Sequence, residues 1–593
     1  MLVLKVKEFI KKIENNELIH ELSTTLPRMS SSKEEIAWEE SFTQVSILLS
    51  SIIDEGNTEF GDVDIILEYH LPLSSKYCDL ILAGKKNNRK CCFIMELKNW
   101  KKNDSDSPGE IKGTMIHHNN IVVHPSQQVA GYTNYIQNFH SAFSNSKDNK
   151  ITTGVVFFTS DISLIPYRQG INAKLASDYP LYSLNSVEEL KKDILEYIDS
   201  GLNGFADEII SGTYKQNRSM LVGFANLLKH YEYENTPLPY VLLDEQNTGY
   251  ENIIQRLNSV ITRNSNKKEV IIIKGNPGSG KSAIAINAWI ESILIAKKND
   301  LDPQKNIVFC TTSDAQHKAW TNVVNKSGIA GIDNAIIKAS KFNPGINSNN
   351  INNLVDVLRD IKPNVLYADG KQHGKIKYRI DPLKWRETLK LFKSGVLEKY
   401  GYKYNKIDEF LLVLVDEAHG LMQPVDETKK GKEQIIKIGT KDIPPAVGPM
   451  SYHIIDNSKI SVFFIDSQQA YRDKESTRET DIERYAKELG ANITTIDLED
   501  SEYRCGGSKE YVEWVRNLFE SPKLLDSKKW KNDFSLQVVD YPSDMEEILI
   551  QHIAEGCSVR YMAYYSVEWK TQNIESNPSK YFLPPDKNDR RRI

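Results

Sequence analysis

Two stretches of this chain place ionisable side chains where strand and loop geometry would make them act together. In "CCFIMELKNW", residues 91–100, an apolar run leads into Glu96 and Lys98 with Leu97 between them. Side chains alternate across a strand, so Glu96 and Lys98 share one face and Leu97 takes the other. Asp79 lies in the apolar stretch before it, "YCDLILAG", which gives Asp…Glu-x-Lys on neighbouring strands. An ionised carboxylate left unpaired in a core is costly, so a metal or a partner is expected beside it. Asp79 and Glu96 are the expected ligands of Mg²⁺ or Mn²⁺, and Lys98 would hold or activate the attacking water. Glu68 and Glu40 are further acidic candidates.

The second stretch is "GNPGSGKS", Gly275-Asn276-Pro277-Gly278-Ser279-Gly280-Lys281-Ser282. Its spacing is that of a phosphate-binding loop. Glycines let backbone N–H groups wrap the phosphates of ATP, Lys281 meets the β/γ oxygens, and Ser282 ligates Mg²⁺. An apolar strand precedes it and the helical pattern "SAIAINAWIESILI" follows. "LVLVDEAHG" supplies the complement. Asp416 stands at the C-terminal end of a buried strand, where it would ligate Mg²⁺, and Glu417 can polarise the attacking water. His419, taken alone, reads as a packing or hydrogen-bonding residue.

The elements that must position these residues form two groups. Residues 34–53 read as an amphipathic helix, 62–72, 77–84 and 91–99 as strands, 124–139 as a helix opened by Pro125 and Ser126, and 151–160 as a fourth strand. A helical connection follows. From Tyr240 strands and helices alternate. Residues 269–275, 306–312, 410–418 and 459–467 are too apolar for one-sided burial and fit a parallel sheet covered by helices on both faces. Residues 535–542 and 558–566 read as strands of one more unit. The expected fold is α/β throughout: a domain at 1–165, a helical connection at 166–239, a nucleotide-binding lobe at 240–503 with an insertion at about 341–405, and a partial second lobe at 504–593. A basic group, Lys85, Lys86, Arg89, Lys90, Lys101 and Lys102, is expected to flank the Asp79–Glu96 site, either meeting phosphate backbones or forming a solvated hairpin tip.

With 593 residues the chain exceeds what one core organises. Hydrophobic residues at 40% and charged residues at 26% are ordinary for a globular protein, and a net charge of −5 means that any nucleic-acid surface is local. The six cysteines lack metal-ligand spacing, and Cys91 and Cys92 point to opposite strand faces, as reduced buried thiols of a cytoplasmic protein would. No apolar run is long enough for a membrane helix, so no membrane partner is expected.

The neighbourhood of the phosphate loop resembles the superfamily 1 helicases, and in particular the Schlafen-group-3 type of DNA/RNA helicase domain, over about residues 240–566. Asp-Glu-Ala-His at 416–419 is similar to the second helicase motif. The resemblance implies that Gln246 in "LLDEQNTGY" reads adenine and that Asp466 and Gln469 in "FFIDSQQAYR" sense the γ-phosphate. It likewise implies that Arg504 in "SEYRCGGSKEYVEWV" contacts the γ-phosphate from a second lobe. The later helicase motifs are not found before Ile593, so a shortened second lobe is expected, completed in some settings by a partner subunit or a second copy. The N-terminal stretch, about 34–160, resembles the restriction-endonuclease-like PD-(D/E)xK nucleases, with Cys78 where many members have proline and with Gln128 in "HPSQQVAGY" matching a glutamine of part of that superfamily. The combination resembles bacterial nuclease–helicase immunity proteins. It implies a metal-dependent nuclease joined to a nucleic-acid-stimulated ATPase, acting on DNA (or RNA) in antiphage defence. Two competing expectations are an ATP-gated nuclease or sensor that does not unwind, and a nucleic-acid-binding regulator whose nuclease fold is inactive.

Overall fold

The computed structural model describes residues 1–212 and 241–498, short internal stretches excepted, and beyond them chiefly 537–540 and 542–555. The chain divides into two compact units, Met1–Lys509 and Glu510–Ile593. In the second unit the principal described element is a helix, Pro542–Ala554. Residues 537–540, expected as strand, are irregular, and nearly all of 558–566 lies outside the described residues.

The first unit is built on two six-stranded sheets. In the first, strands β1 (Leu2–Lys5), β2 (Asp64–His70), β3 (Tyr77–Lys86), β4 (Arg89–Lys98), β5 (Lys150–Phe158) and β6 (Leu181–Tyr182) lie side by side in chain order. The first four pair antiparallel, whereas β5 joins β4 in parallel and β6 joins β5 in parallel. A parallel neighbour requires a crossover, and helix α2 (Pro125–Phe139) provides it. The short strands β1 and β6 give too little periodicity to be seen in the sequence.

Both faces of β4 are covered, which explains its unbroken apolar run. Cys91, Phe93 and Met95 pack with Trp38, Phe42, Val45 and Leu49 of helix α1 (Ser32–Asp54). Cys92 and Ile94 face Tyr132, Tyr135 and Ile136 of α2. Helix α1 starts at Ser31, whose hydroxyl accepts from the Glu34 N–H at 3.2 Å while Glu34 reaches back to the Ser31 N–H. The same cores draw in Leu190, Ile194 and Ile198 on one side and Phe205 and Ile209 on the other, so this packing continues well past residue 165.

Helix α2 is capped by a buried histidine. His124 Nδ1 accepts from the Ser126 N–H at 3.2 Å, so Nε2 carries the proton and donates to the Tyr167 carbonyl at 2.9 Å. Burial holds this imidazole down at about 4, against an ordinary value of 6.5. The stabilisation from the neutral ring is complete above the unfolded value and is lost as pH falls from 6.5 toward 4. That loss amounts to about 3 kcal/mol. Thermal denaturation from pH 7.5 to 4.5 should therefore show a steeper decline for wild type than for His124→Gln. Equal slopes would remove His124 from the account.

The second sheet is all-parallel. Its strands are β7 (Glu269–Lys274), β8 (Ile307–Thr311), β9 (Ile336–Lys338), β10 (Phe410–Val415), β11 (Ser458–Ile465) and β12 (Asn492–Asp497), in the order β9-β8-β10-β11-β7-β12. This is the arrangement of a RecA-like lobe, and β9 and β12 extend it beyond the four strands that hydropathy predicts. Helices α3 (Asp244–Arg263) and α4 (Lys281–Lys298) cover one face through Ile253, Leu257, Ile284 and Trp289. Between β9 and β10 a satellite core forms around Leu358, Phe392 and Leu397. Among the described residues no helix is long and apolar enough to cross a membrane.

Candidate functional sites

Strand register brings three carboxylates into one row. With Leu67 opposite Leu80 and Tyr69 opposite Cys78, Glu68 falls beside Asp79; with Leu80 opposite Met95, Asp79 falls beside Glu96. Glu68 has a left-handed backbone (φ 51°), which breaks the strand alternation, and the indole N–H of Trp38 donates to its Oε1 at 2.9 Å. Asp79 Oδ2 accepts from the Leu97 N–H at 2.7 Å. Glu96 is buried. Its Oε1 accepts from Lys98 Nζ at 2.8 Å, while its Oε2 has no hydrogen-bond partner.

The charges strain one another. Burial, then Glu96 and Glu68, push the Asp79 carboxyl well above the usual carboxylate range, against the pull of Lys98 and the Leu97 N–H. Burial works to lower the Lys98 ammonium, yet Glu96 and Asp79 outweigh it and the net shift is upward. Three acids beside one lysine leave an excess of negative charge, and a cation is its natural complement. No group of three or more His, Cys, Asp or Glu among the described residues is arranged to enclose a metal, so an ion here would rest on two carboxylates and water.

Around this row stand other candidates. Gln128 is half-buried in the first turn of α2, one turn before Tyr132, which packs against the acidic face of the sheet. Its amide makes no hydrogen bond to Glu96 or Lys98. Glu40 of α1 accepts from the side chain of Asn99, just past Lys98. The expected basic flank needs correction at its four hairpin members, whereas exposed Lys101 stays three residues past Lys98. Lys85, Lys86, Arg89 and Lys90 occupy the β3–β4 hairpin, level with positions six and seven residues along β4 from Glu96, roughly 20 Å or more at ordinary strand rise. There Lys90 pairs with Glu208 and Lys86 donates to the Leu195 carbonyl. The hairpin folds its tip away from the Asp79 end, a relation that sequence proximity does not reveal. Lys102 lies outside the described residues.

The phosphate loop follows β7 and opens α4. Gly278 and Gly280 have φ of 98° and 88°, conformations that glycine adopts without strain. Lys281 Nζ donates to the carbonyls of Gly275 and Asn276 at 2.7 and 2.9 Å. The Ser282 hydroxyl donates to Asp416 Oδ1 at 3.4 Å, and Gln316 Nε2 to Asp416 Oδ2 at 3.2 Å. Burial, then Glu417, push the Asp416 carboxyl up to about 7. Glu417, next after Asp416 beyond the end of β10, adopts a left-handed backbone (φ 53°). His419 is buried 3.4 Å from Glu417, and desolvation lowers its pKa.

Gln246 also reaches this loop. Its Nε2 donates to the Ser279 carbonyl at 2.8 Å and its Oε1 accepts from the Leu243 N–H at 3.2 Å. A Cβ at Gly280 would lie 2.1 Å from that Nε2. Asp466 is buried at the end of β11, beside β10 and β7, with Gln469 half-buried three residues on. Arg504 lies outside the described residues.

A family model of the Schlafen group 3 DNA/RNA helicase domain matches residues 268–584, just over half of the chain. The chain belongs to this family. No curated protein matches significantly. The group 3 helicase domain begins immediately before β7 and takes in the phosphate loop, Asp416, Glu417, Asp466, Gln469 and Arg504. The chain therefore carries ATP and Mg²⁺ chemistry directed at DNA or RNA. The acidic row and Gln246 precede the matched segment. Three residues of these sites escape the motifs: Gln316 on Asp416, and Lys76 and Asp244, which pair at 2.9 Å close to the acidic row. The only sequence signal for Asp244 is its place two residues before Gln246.

Proposed function

We propose that this protein is a metal-dependent nuclease joined to a nucleic-acid-stimulated helicase-type ATPase. The observation that carries the nuclease reading is the buried Glu96 carboxylate, one oxygen held by Lys98 and the other without a partner, in register with Asp79. Mg²⁺ or Mn²⁺ would be held by Asp79 and Glu96 and would supply a polarised phosphate and an activated water. Lys98 holds the attacking water against Glu96 and offsets charge developing on the phosphate. Gln128, on the helix face that Tyr132 turns toward the row, orients the substrate. A mixed sheet with an acidic row at the β3–β4 ends supports a restriction-endonuclease-like fold for the N-terminal domain, whose core runs past 165 to Ile209, ahead of the helicase lobes at 240–503 and 504–593.

At the second site, Lys281 would neutralise charge on the β/γ phosphates, Ser282 and Asp416 would hold Mg²⁺, and Glu417 would orient the attacking water. Gln246 reads the nucleotide, and Asp466, Gln469 and Arg504 respond to the γ-phosphate. DNA is the proposed substrate and antiphage defence the proposed setting. The test is to incubate the full chain with plasmid and single-stranded DNA, with and without Mg²⁺ or Mn²⁺ and ATP. Metal-dependent cutting together with DNA-stimulated ATP hydrolysis is expected. Stimulated hydrolysis without cutting under any condition would leave the helicase domain standing and remove the nuclease.

A further inference from the structure

Helix α3 belongs to both sheets. Just before its first turn, Leu243 lies in the core formed by β2, β3, β4 and α2, so close that a Cβ on Gly131 of α2 would come within 3.0 Å of it. Its later turns contribute Ile253, Leu257 and Val260 to the core under the phosphate loop. Further along, Lys112 pairs with Glu251 at 3.1 Å and Gln255 donates to the Glu110 carbonyl.

The first turn is built around charge. Asp244 is 2% exposed with φ 41°, a backbone strained for a residue other than glycine. Its Oδ2 pairs with Lys76 Nζ at 2.9 Å, and Lys76 also pairs with Glu245 at 3.0 Å. Its Oδ1 is buried without a hydrogen-bond partner. Lys76 stands three residues before Asp79; Gln246, on the Ser279 carbonyl, stands two residues after Asp244. Burial raises the Asp244 carboxyl, Lys76 opposes that, and Glu96 adds to it, while Asp244 in turn helps to hold the Lys98 ammonium up. Asp244 thus lies within electrostatic reach of both Glu96 and Lys98.

We propose that Asp244 is a positioning residue shared by the two sites: through Lys76 it fixes the start of the strand that carries Asp79, and through the turn to Gln246 it follows the phosphate loop. Nucleotide bound at Gly275–Ser282 shifts Gln246 and the first turn of α3, and the Lys76–Asp244 pair carries that shift to Asp79. This inference rests on the nuclease reading for its consequence but not for its mechanical content. Coupling of this kind is reciprocal: what nucleotide does to the acidic row, a change in the acidic row does to nucleotide affinity.

The experiment uses the full chain, AMP-PNP as the nucleotide probe and Mn²⁺-dependent cutting of plasmid DNA as one readout. Wild type should cut at rates differing by about fivefold or more with and without AMP-PNP, and Glu96→Gln should separately shift AMP-PNP affinity by about threefold or more. In Asp244→Asn both effects should fall to within about twofold of none. Glu245→Gln, at a half-exposed position that tolerates substitution, should weaken both and serves where Asp244→Asn fails to fold. Cutting by wild type that ignores AMP-PNP, or that keeps its full response in both variants, overturns the inference and leaves the nuclease intact. Absence of cutting, with the Glu96→Gln shift in affinity present and lost in the variants, defeats the nuclease reading while the shared positioning stands. Absence of both defeats both.

Discussion

Glu96→Ala protein is expected to cut DNA at no more than about one-thousandth of the wild-type rate under Mg²⁺ or Mn²⁺. The substitution removes one of two proposed metal ligands and also strands Lys98, whose ammonium pairs with Glu96 Oε1. Asp79→Ala should behave alike, and Lys98→Ala should lose cutting through the water it no longer holds. In each, ATP hydrolysis at saturating nucleotide should stay within about threefold of wild type, because the proposed coupling acts on nucleotide affinity and leaves the phosphate chemistry untouched. Asp79→Ala relieves the mutual repulsion of the row, so loss of cutting with normal or raised thermal stability would separate chemistry from folding. If all three variants cut at the wild-type rate, the acidic row is not a nuclease site.

Lys281→Ala is expected to lower ATP hydrolysis by about a thousandfold, the usual scale for removing one preorganised charge from a transition state. The lysine is held over the loop by the Gly275 and Asn276 carbonyls, so its loss also loosens the loop. Glu417→Gln should separate binding from chemistry. It keeps the left-handed turn that follows β10, retains nucleotide affinity and slows hydrolysis. Single-turnover assays with labelled ATP read both effects, and a Lys281→Ala protein that hydrolyses ATP normally would place the nucleotide elsewhere.

How much of this could be read in the residues varied with the range of the interaction. The phosphate loop and Asp-Glu-Ala-His were plain because their geometry is local: glycine φ values and strand-end carboxylates are written in a few consecutive residues. The long, doubly covered strands β4, β7, β10 and β11 were plain for a similar reason, since their apolar runs leave no other role. The short edge strands β1, β6 and β9 were not, because two to four residues carry no period and owe their pairing to neighbours. Glu68 shows the intermediate case. Its acidity was visible, but its place beside Asp79 depends on register, and its contact with Trp38 on a left-handed backbone. The basic hairpin lies away from the site because closeness in sequence is not closeness in space: a strand carries its two ends apart. Asp244 and Lys76 lie 168 positions apart in the chain, and no local pattern announces their pairing.

The neighbour order of the two sheets has a consequence for how the chain is made. In the first sheet each strand sits beside the one synthesised just before it, so a nascent chain of about 200 residues already holds every strand of that sheet. In the second, β7 lies between β11 and β12, which begin only at Ser458 and Asn492. The strand that leads into the phosphate loop therefore waits nearly 200 residues for either neighbour, whereas pairings of short sequence separation form early. On the ribosome the acidic row emerges in a finished sheet while the phosphate loop still has none to stand on.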